Sequence, residues 1–246
     1  MDPFEKYFHE RAALADDLSR GGYLLDATVI ATTALDALGE IWVRDFPSEG
    51  KALDVEAGGR VSSSIRMARL VRRFAATEVE AQKVAVVCFA EDWKRHVPAA
   101  AAVADALLKP RLGKVHGELP HSYEDVPQSA LLAECPAIGS ATRLAALVEE
   151  YEYAALLYRF YRCPTVHLGG NARRTHGFTR NEEVMYMPLY RGFTSISFGP
   201  QLVTRWLRAV ATGYVAACFG AGVIPAEDMD PGDREEENLR SKWSKL

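Results

Sequence analysis

The apolar residues Leu24, Leu25, Thr28, Ala31, Leu35, Leu38 and Trp42 recur at steps of three and four, the spacing that lines one face of an α-helix, and predict a helix over 22–43. Its small residues Ala27, Ala31, Ala34 and Ala37 leave room for a second helix to come close. Pro47–Gly59, with Gly50, Gly58 and Gly59, reads as a loop. Ser62–Ser64 offer caps for a helix to Phe74, with Met67, Leu70, Val71 and Phe74 on its apolar face. Thr77 and Glu80 form a capping-box pattern predicting a helix to about Arg95, before Pro98. A short alanine-rich helix follows over 99–108. Residues 110–139 carry four prolines and are expected to be irregular, with one turn near Ser129–Glu134.

The second strong periodic stretch runs over 141–162 behind Ser140, with Leu144, Leu147, Tyr151, Ala154, Tyr158 and Tyr161 as its buried stripe. Pro164 predicts a bend or break just beyond it. Residues 184–190 and 193–198 alternate like a short β-hairpin around Arg191-Gly192. Pro200 opens a last long helix, about 200–220, with Leu202, Trp206, Val210, Tyr214 and Ala217 facing inward. The expected architecture is an all-α bundle with a small β-hairpin inserted before the last helix. It forms one domain over 1–225, followed by a charged tail over 226–246.

Composition narrows the function classes. A formal net charge of −4, with 48% apolar and 25% charged residues, describes an ordinary globular chain and argues against bulk electrostatic binding of nucleic acid. RNA contact would have to come from local patches. One candidate is the row Arg66, Arg69 and Arg73, which reads either as a solvated helix face or as an RNA contact. The widely spaced cysteines Cys88, Cys135, Cys163 and Cys218 read as reduced thiols. The start of the chain lacks a secretion-signal pattern, and neither apolar run, Tyr23–Val43 or Val210–Ile224, suits a membrane span. The expectation is a cytoplasmic protein without membrane partners.

The chemistry concentrates in Tyr158–His167. Arg162 carries a permanent charge and can hold a phosphate through two parallel hydrogen bonds, while His167 can exchange a proton near neutrality. The plainer reading is a helix end with a carbonyl-capping Arg and a surface His. In an unbroken helix, residues five apart diverge by roughly 140°, so convergence of the two on one substrate needs a deformed helix or two chains. Arg159, Arg173 and Arg174 extend the positive charge, and no acid occurs from Arg159 to Arg180. These arginines, with His176, are candidate RNA contacts, with a surface loop as the alternative. Glu149, Glu150 and Glu152 point around their helix and are expected to stay solvated. Cys163, His167 and His176 lack a fourth ligand at the usual spacing, so no metal or other cofactor is expected.

These segments resemble the HEPN superfamily, the higher eukaryote and prokaryote nucleotide-binding domains. The likeness rests on the alanine-rich helix from Tyr23, the stretch Tyr153–His167 with its Arg-x4-His signature, and the segment from Phe198. The resemblance implies an α-helical fold and, for catalytic members, a metal-independent endoribonuclease of toxin or antiviral-defence type. Arg162 and His167 would then be catalytic, acting in a homodimer with the active groove at its interface, on RNA, with an antitoxin as a possible partner. Some members are inactive scaffolds, so the alternative is a module that binds a nucleotide, RNA or protein. The family usually places Asn, Asp or His after the Arg, where this chain has Cys163 and then Pro164. A thiol offers only a weak hydrogen bond, so the orienting role is either lost, taken over by another residue, or absent.

Overall fold

The computed structural model of the chain describes residues 2–111, 124–162, 174–176, 183–189 and 193–226. Asp2 caps the first helix, α1 (Pro3–Arg20), by accepting a hydrogen bond from the Phe4 amide at 2.8 Å. The hydrophobic pattern does not announce α1, because its buried stripe is Phe8, Ala12, Ala15 and Ser19, too small and mixed to stand out. Helix α2 (Leu24–Asp45) matches the expected 22–43. The expected loop at 47–59 is mostly a helix, α3 (Pro47–Glu56), started by Pro47 at its first turn, where a missing amide costs nothing. Gly50 fits inside it because α2 runs close by: a Cβ at Gly50 would stand 2.8 Å from the Val43 carbonyl oxygen.

Helix α4 (Ser63–Phe74) begins where expected, with Ser62 Oγ accepting from the Ile65 amide at 3.3 Å. Thr77 and Glu80 do not start a long helix. A single 3₁₀ turn (Val79–Gln82) follows, and α5 (Val86–His96) begins later. Helix α6 (Ala101–Leu108) matches expectation, and α7 (Gln128–Glu134) and α8 (Pro136–Gly139) order part of the proline-rich stretch.

The predicted helix over 141–162 is three pieces: α9 (Thr142–Glu149), α10 (Tyr153–Leu157) and a wide π turn (Tyr158–Arg162). Between α9 and α10 the backbone leaves the helix and pairs with 83–85. Ala85 N–H donates to the Tyr151 carbonyl at 2.8 Å, and Tyr153 N–H donates to that of Lys83 at 2.9 Å. Strands β1 (Val184–Leu189) and β2 (Phe193–Phe198) form the predicted hairpin, with Val184 opposite Phe198 and Tyr186 opposite Ile196. Helix α11 (Pro200–Ala221) is the last helix of the described residues and packs on α1, α2 and α4. The mostly helical fold with a two-stranded antiparallel sheet agrees with the sequence pattern. Buried residues from α1 to α11 form one continuous core that includes Trp206, Tyr214, Leu35, Leu38 and Leu70.

A buried carboxylate fastens the hairpin to that core. Asp125 accepts from the Tyr153 hydroxyl at 2.6 Å, from the Tyr186 hydroxyl, and from the Val86 amide at 3.0 Å, which caps α5 from a distant segment. Burial pushes this carboxyl up to about 6, against the opposing pull of the two tyrosine hydroxyls and the amide. A raised carboxyl keeps its proton in the folded state after the unfolded chain, near 3.8, has lost it. Stability from this group is therefore greatest at acid pH and falls as pH rises from about 4 to about 6. Urea midpoints measured across that window should fall more steeply for the wild type than for Asp125→Asn. Parallel curves would remove Asp125 as the titrating group.

Candidate functional site

Arg162 ends the π turn, a local widening of the helix that is often found at functional positions. The turn lies against α2. The Arg162 guanidinium sits 5.8 Å above the Tyr158 ring, and its Nε lies 2.8 Å from Asp36 Oδ2. Its side chain is 22% exposed, half-buried as its position at the border of the tyrosine stripe predicts. The neighbouring Tyr161 is buried against Phe198, and its hydroxyl accepts from the Phe198 amide at 3.4 Å, so β2 supports the turn from the other side.

Asp36 belongs to a four-charge cluster. Arg66 of α4, only 3% exposed, reaches Asp36 Oδ1 at 3.4 Å and also pairs with Glu40. Asp36 and Glu40 are one turn apart on α2, so two carboxylates face two arginines. Asp36 and Arg66 are the buried pair of the four, each with an opposite charge beside it, while Glu40 is exposed.

The other arginines of α4 are similarly engaged. Arg69 grips Glu149 through two nitrogens, one at 3.0 Å, and reaches Glu56 at 3.2 Å. Arg72 pairs with Glu149 at 3.2 Å and with Glu152, and Arg73 contacts Glu49 at 3.5 Å. The row is neither a plainly solvated face nor an open phosphate contact; it clamps α4 to α3 and to the α9–α10 break. Glu149 and Glu152 are correspondingly buried, correcting the expectation that they stay in water. Burial pushes the Glu152 carboxyl up to about 7, with Arg72 opposing. Its second oxygen, Oε2, is buried without a hydrogen-bond partner.

The remaining candidates divide. Exposed Arg159 donates to the Glu150 carbonyl at 3.2 Å and stacks 5.7 Å from the Tyr151 ring. Tyr151 in turn donates to Asp92 at 2.8 Å. Arg174 pairs with the same Asp92 at 2.6 Å and with Glu91 at 2.9 Å, and its Nε donates to the Thr194 carbonyl at 3.2 Å. Arg159 and Arg174 thus flank Tyr151, and the Arg174 guanidinium is held by two carboxylates. The His176 ring lies 3.2 Å from the Met185 carbonyl oxygen and 3.3 Å from the Ser197 hydroxyl, on the hairpin. His167, Arg173 and Cys163 fall outside the described residues.

A cavity of about 580 Å³ opens between α3, α4 and α9, lined by Arg60, Arg69, Ser62, Gln128, Glu149 and Glu150 among others. A slot of about 380 Å³ beside it has Trp42 and Leu53 in its wall. Arg162 lines neither. Among the described residues no cluster of three or more His, Cys, Asp or Glu could hold a metal ion, and no helix is long and apolar enough to cross a membrane. Sequence reasoning missed Asp36 and Arg66 as neighbours of Arg162. The available signal was an acid inside an apolar helix face, since a buried carboxylate needs a cation. Comparison with protein-family models, with characterised proteins and with solved structures returned no match.

Proposed function

We propose that this chain is a HEPN-like, metal-independent endoribonuclease of toxin or antiviral-defence type, acting in the cytoplasm as a homodimer that an antitoxin can restrain. The observation that carries this reading is Arg162: a permanent cation ending the signature turn, held beside a buried carboxylate, with part of its surface open to solvent. In the proposed reaction the ribose 2′-oxygen attacks the adjacent phosphorus while the 5′-oxygen departs, leaving a 2′,3′-cyclic phosphate. His167 takes the 2′-hydroxyl proton, and a second imidazole, His167 of the other copy, returns one to the 5′-oxygen. Arg162 balances the charge that accumulates on the non-bridging oxygens. Arg159, Arg173 and His176 are proposed to hold flanking nucleotides; Arg174 would do so only by giving up its pairing with Glu91 and Asp92.

Purified protein incubated with labelled single-stranded RNA in EDTA is expected to cut it, and His167→Ala to cut about 10²-fold more slowly. Equal cutting by both would sink the proposal. A second reading, a non-catalytic module binding a nucleotide, RNA or protein, draws on Arg174 being already bound to Glu91 and Asp92. Stabilisation by such a ligand without cleavage, unaffected by Arg162→Ala, would favour it.

A further inference from the structure

We infer that Asp36 is the positioning residue for Arg162, filling the role that Cys163 leaves open; this rests on the nuclease reading above. A carboxylate on an otherwise apolar helix face is expensive to bury unless the fold uses it. Arg66 pairs with one oxygen of Asp36 and also reaches the exposed Glu40, so the second Asp36 oxygen is left to another cation. Arg162 is the second cation of the quartet, and the two oxygens divide the work: Oδ1 faces Arg66 at 3.4 Å and Oδ2 faces Arg162 Nε at 2.8 Å. The contact is an ion pair and not a directed Nε–H hydrogen bond, so the carboxylate holds the guanidinium in place by charge. The Tyr158 ring, 5.8 Å from the guanidinium carbon, bounds it on another side. Asp36 is itself immobile, since it is buried in α2 and tied to Arg66, whose guanidinium also reaches Ser63. The arrangement is a rigid helix holding a carboxylate that holds a reactive cation, and misplacement by about 1 Å costs on the order of 10²-fold in rate.

The test compares Asp36→Asn, Arg162→Lys and the double variant, by RNA cleavage kinetics and by the ¹⁵N–¹H resonance of Arg162 Nε. Asp36→Asn is expected to lower kcat by roughly 10- to 100-fold with KM little changed. In the Arg162→Lys background it should cost far less, because the guanidinium that Asp36 holds is already gone. The Arg162 Nε is buried, so its proton should exchange slowly with water in the wild type, and quickly in Asp36→Asn once the side chain is released. A kcat that merely follows the fraction of folded protein, or an equal loss in both backgrounds, would overturn the assignment. If the wild type cuts no RNA, the nuclease reading is what fails. The Nε exchange rate then decides the Asp36–Arg162 tie by itself, and an unchanged rate in Asp36→Asn overturns it.

Discussion

Arg162→Gln is expected to reduce RNA cleavage by about 10³-fold, while the protein stays folded with its melting temperature lowered by only a few degrees. The size follows from the role proposed for the side chain. Removing one preorganised donor from a developing oxyanion costs on the order of 10²–10³-fold, and a guanidinium contributes its charge as well. Neighbouring arginines are poorly placed to substitute. Arg66 is buried between Asp36 and Glu40, and Arg174 is held by Glu91 and Asp92. The effect on stability should be small because Asp36 keeps Arg66 as a partner after the change, so no carboxylate is left buried alone. Cleavage rates and thermal melts on the same preparation check both halves. Activity within tenfold of wild type would end the assignment of Arg162 as the phosphate-binding cation.

The elements legible in the sequence are those whose own side chains determine them. Helices α2, α4 and α11 each carry a broad apolar stripe, and the hairpin alternates along both strands, so local periodicity and capping sufficed. The half-burial of Arg162 was also legible, from its offset of four residues from Tyr158. Readings failed where the deciding partner lies far along the chain. The stripe from Leu144 to Tyr161 is compatible with an unbroken helix, and nothing local says that 151–153 will pair with 83–85. That break is matched by charge: Arg69 and Arg72 draw Glu149 and Glu152 inward from about eighty positions away, a relation no helical wheel contains.

The same limit applies to the candidate site. Spacing picked out Arg162, but what surrounds it comes from α2 and α4, and charge counting along the sequence treated those segments separately. The absence of acids between Arg159 and Arg180 suggested an open basic patch, yet Arg174 finds its acids on α5. A stretch without acidic residues therefore bounds local charge only. Whether a cation is available to a phosphate depends on which distant helix passes beside it.

Gly213→Ala is expected to destabilise the protein by about 3 kcal/mol, the upper range for adding a methyl group to a filled interior. Gly213 lies in α11 where that helix crosses the end of α4, and a Cβ there would stand 2.1 Å from the Phe74 carbonyl oxygen. Both clashing groups are fixed to backbone, so no side-chain rotation relieves the contact, and the two helices must separate. Separation would disturb the aromatic cluster at the crossing, where Phe74 meets Tyr214 at 5.5 Å and Trp42 at 5.7 Å between ring centres. At this chain length the melting temperature should fall by about 6–12 °C. Gly220 in the same helix provides the internal control, since a Cβ there meets nothing within 4 Å. Gly220→Ala should raise stability by up to about 1 kcal/mol, because alanine loses less backbone freedom on entering a helix. Opposite signs for the two substitutions would locate the α4–α11 contact at Gly213. A neutral Gly213→Ala would mean that the helices cross elsewhere, and the placement of α4, whose Arg66 anchors Asp36, would have to be redrawn with it.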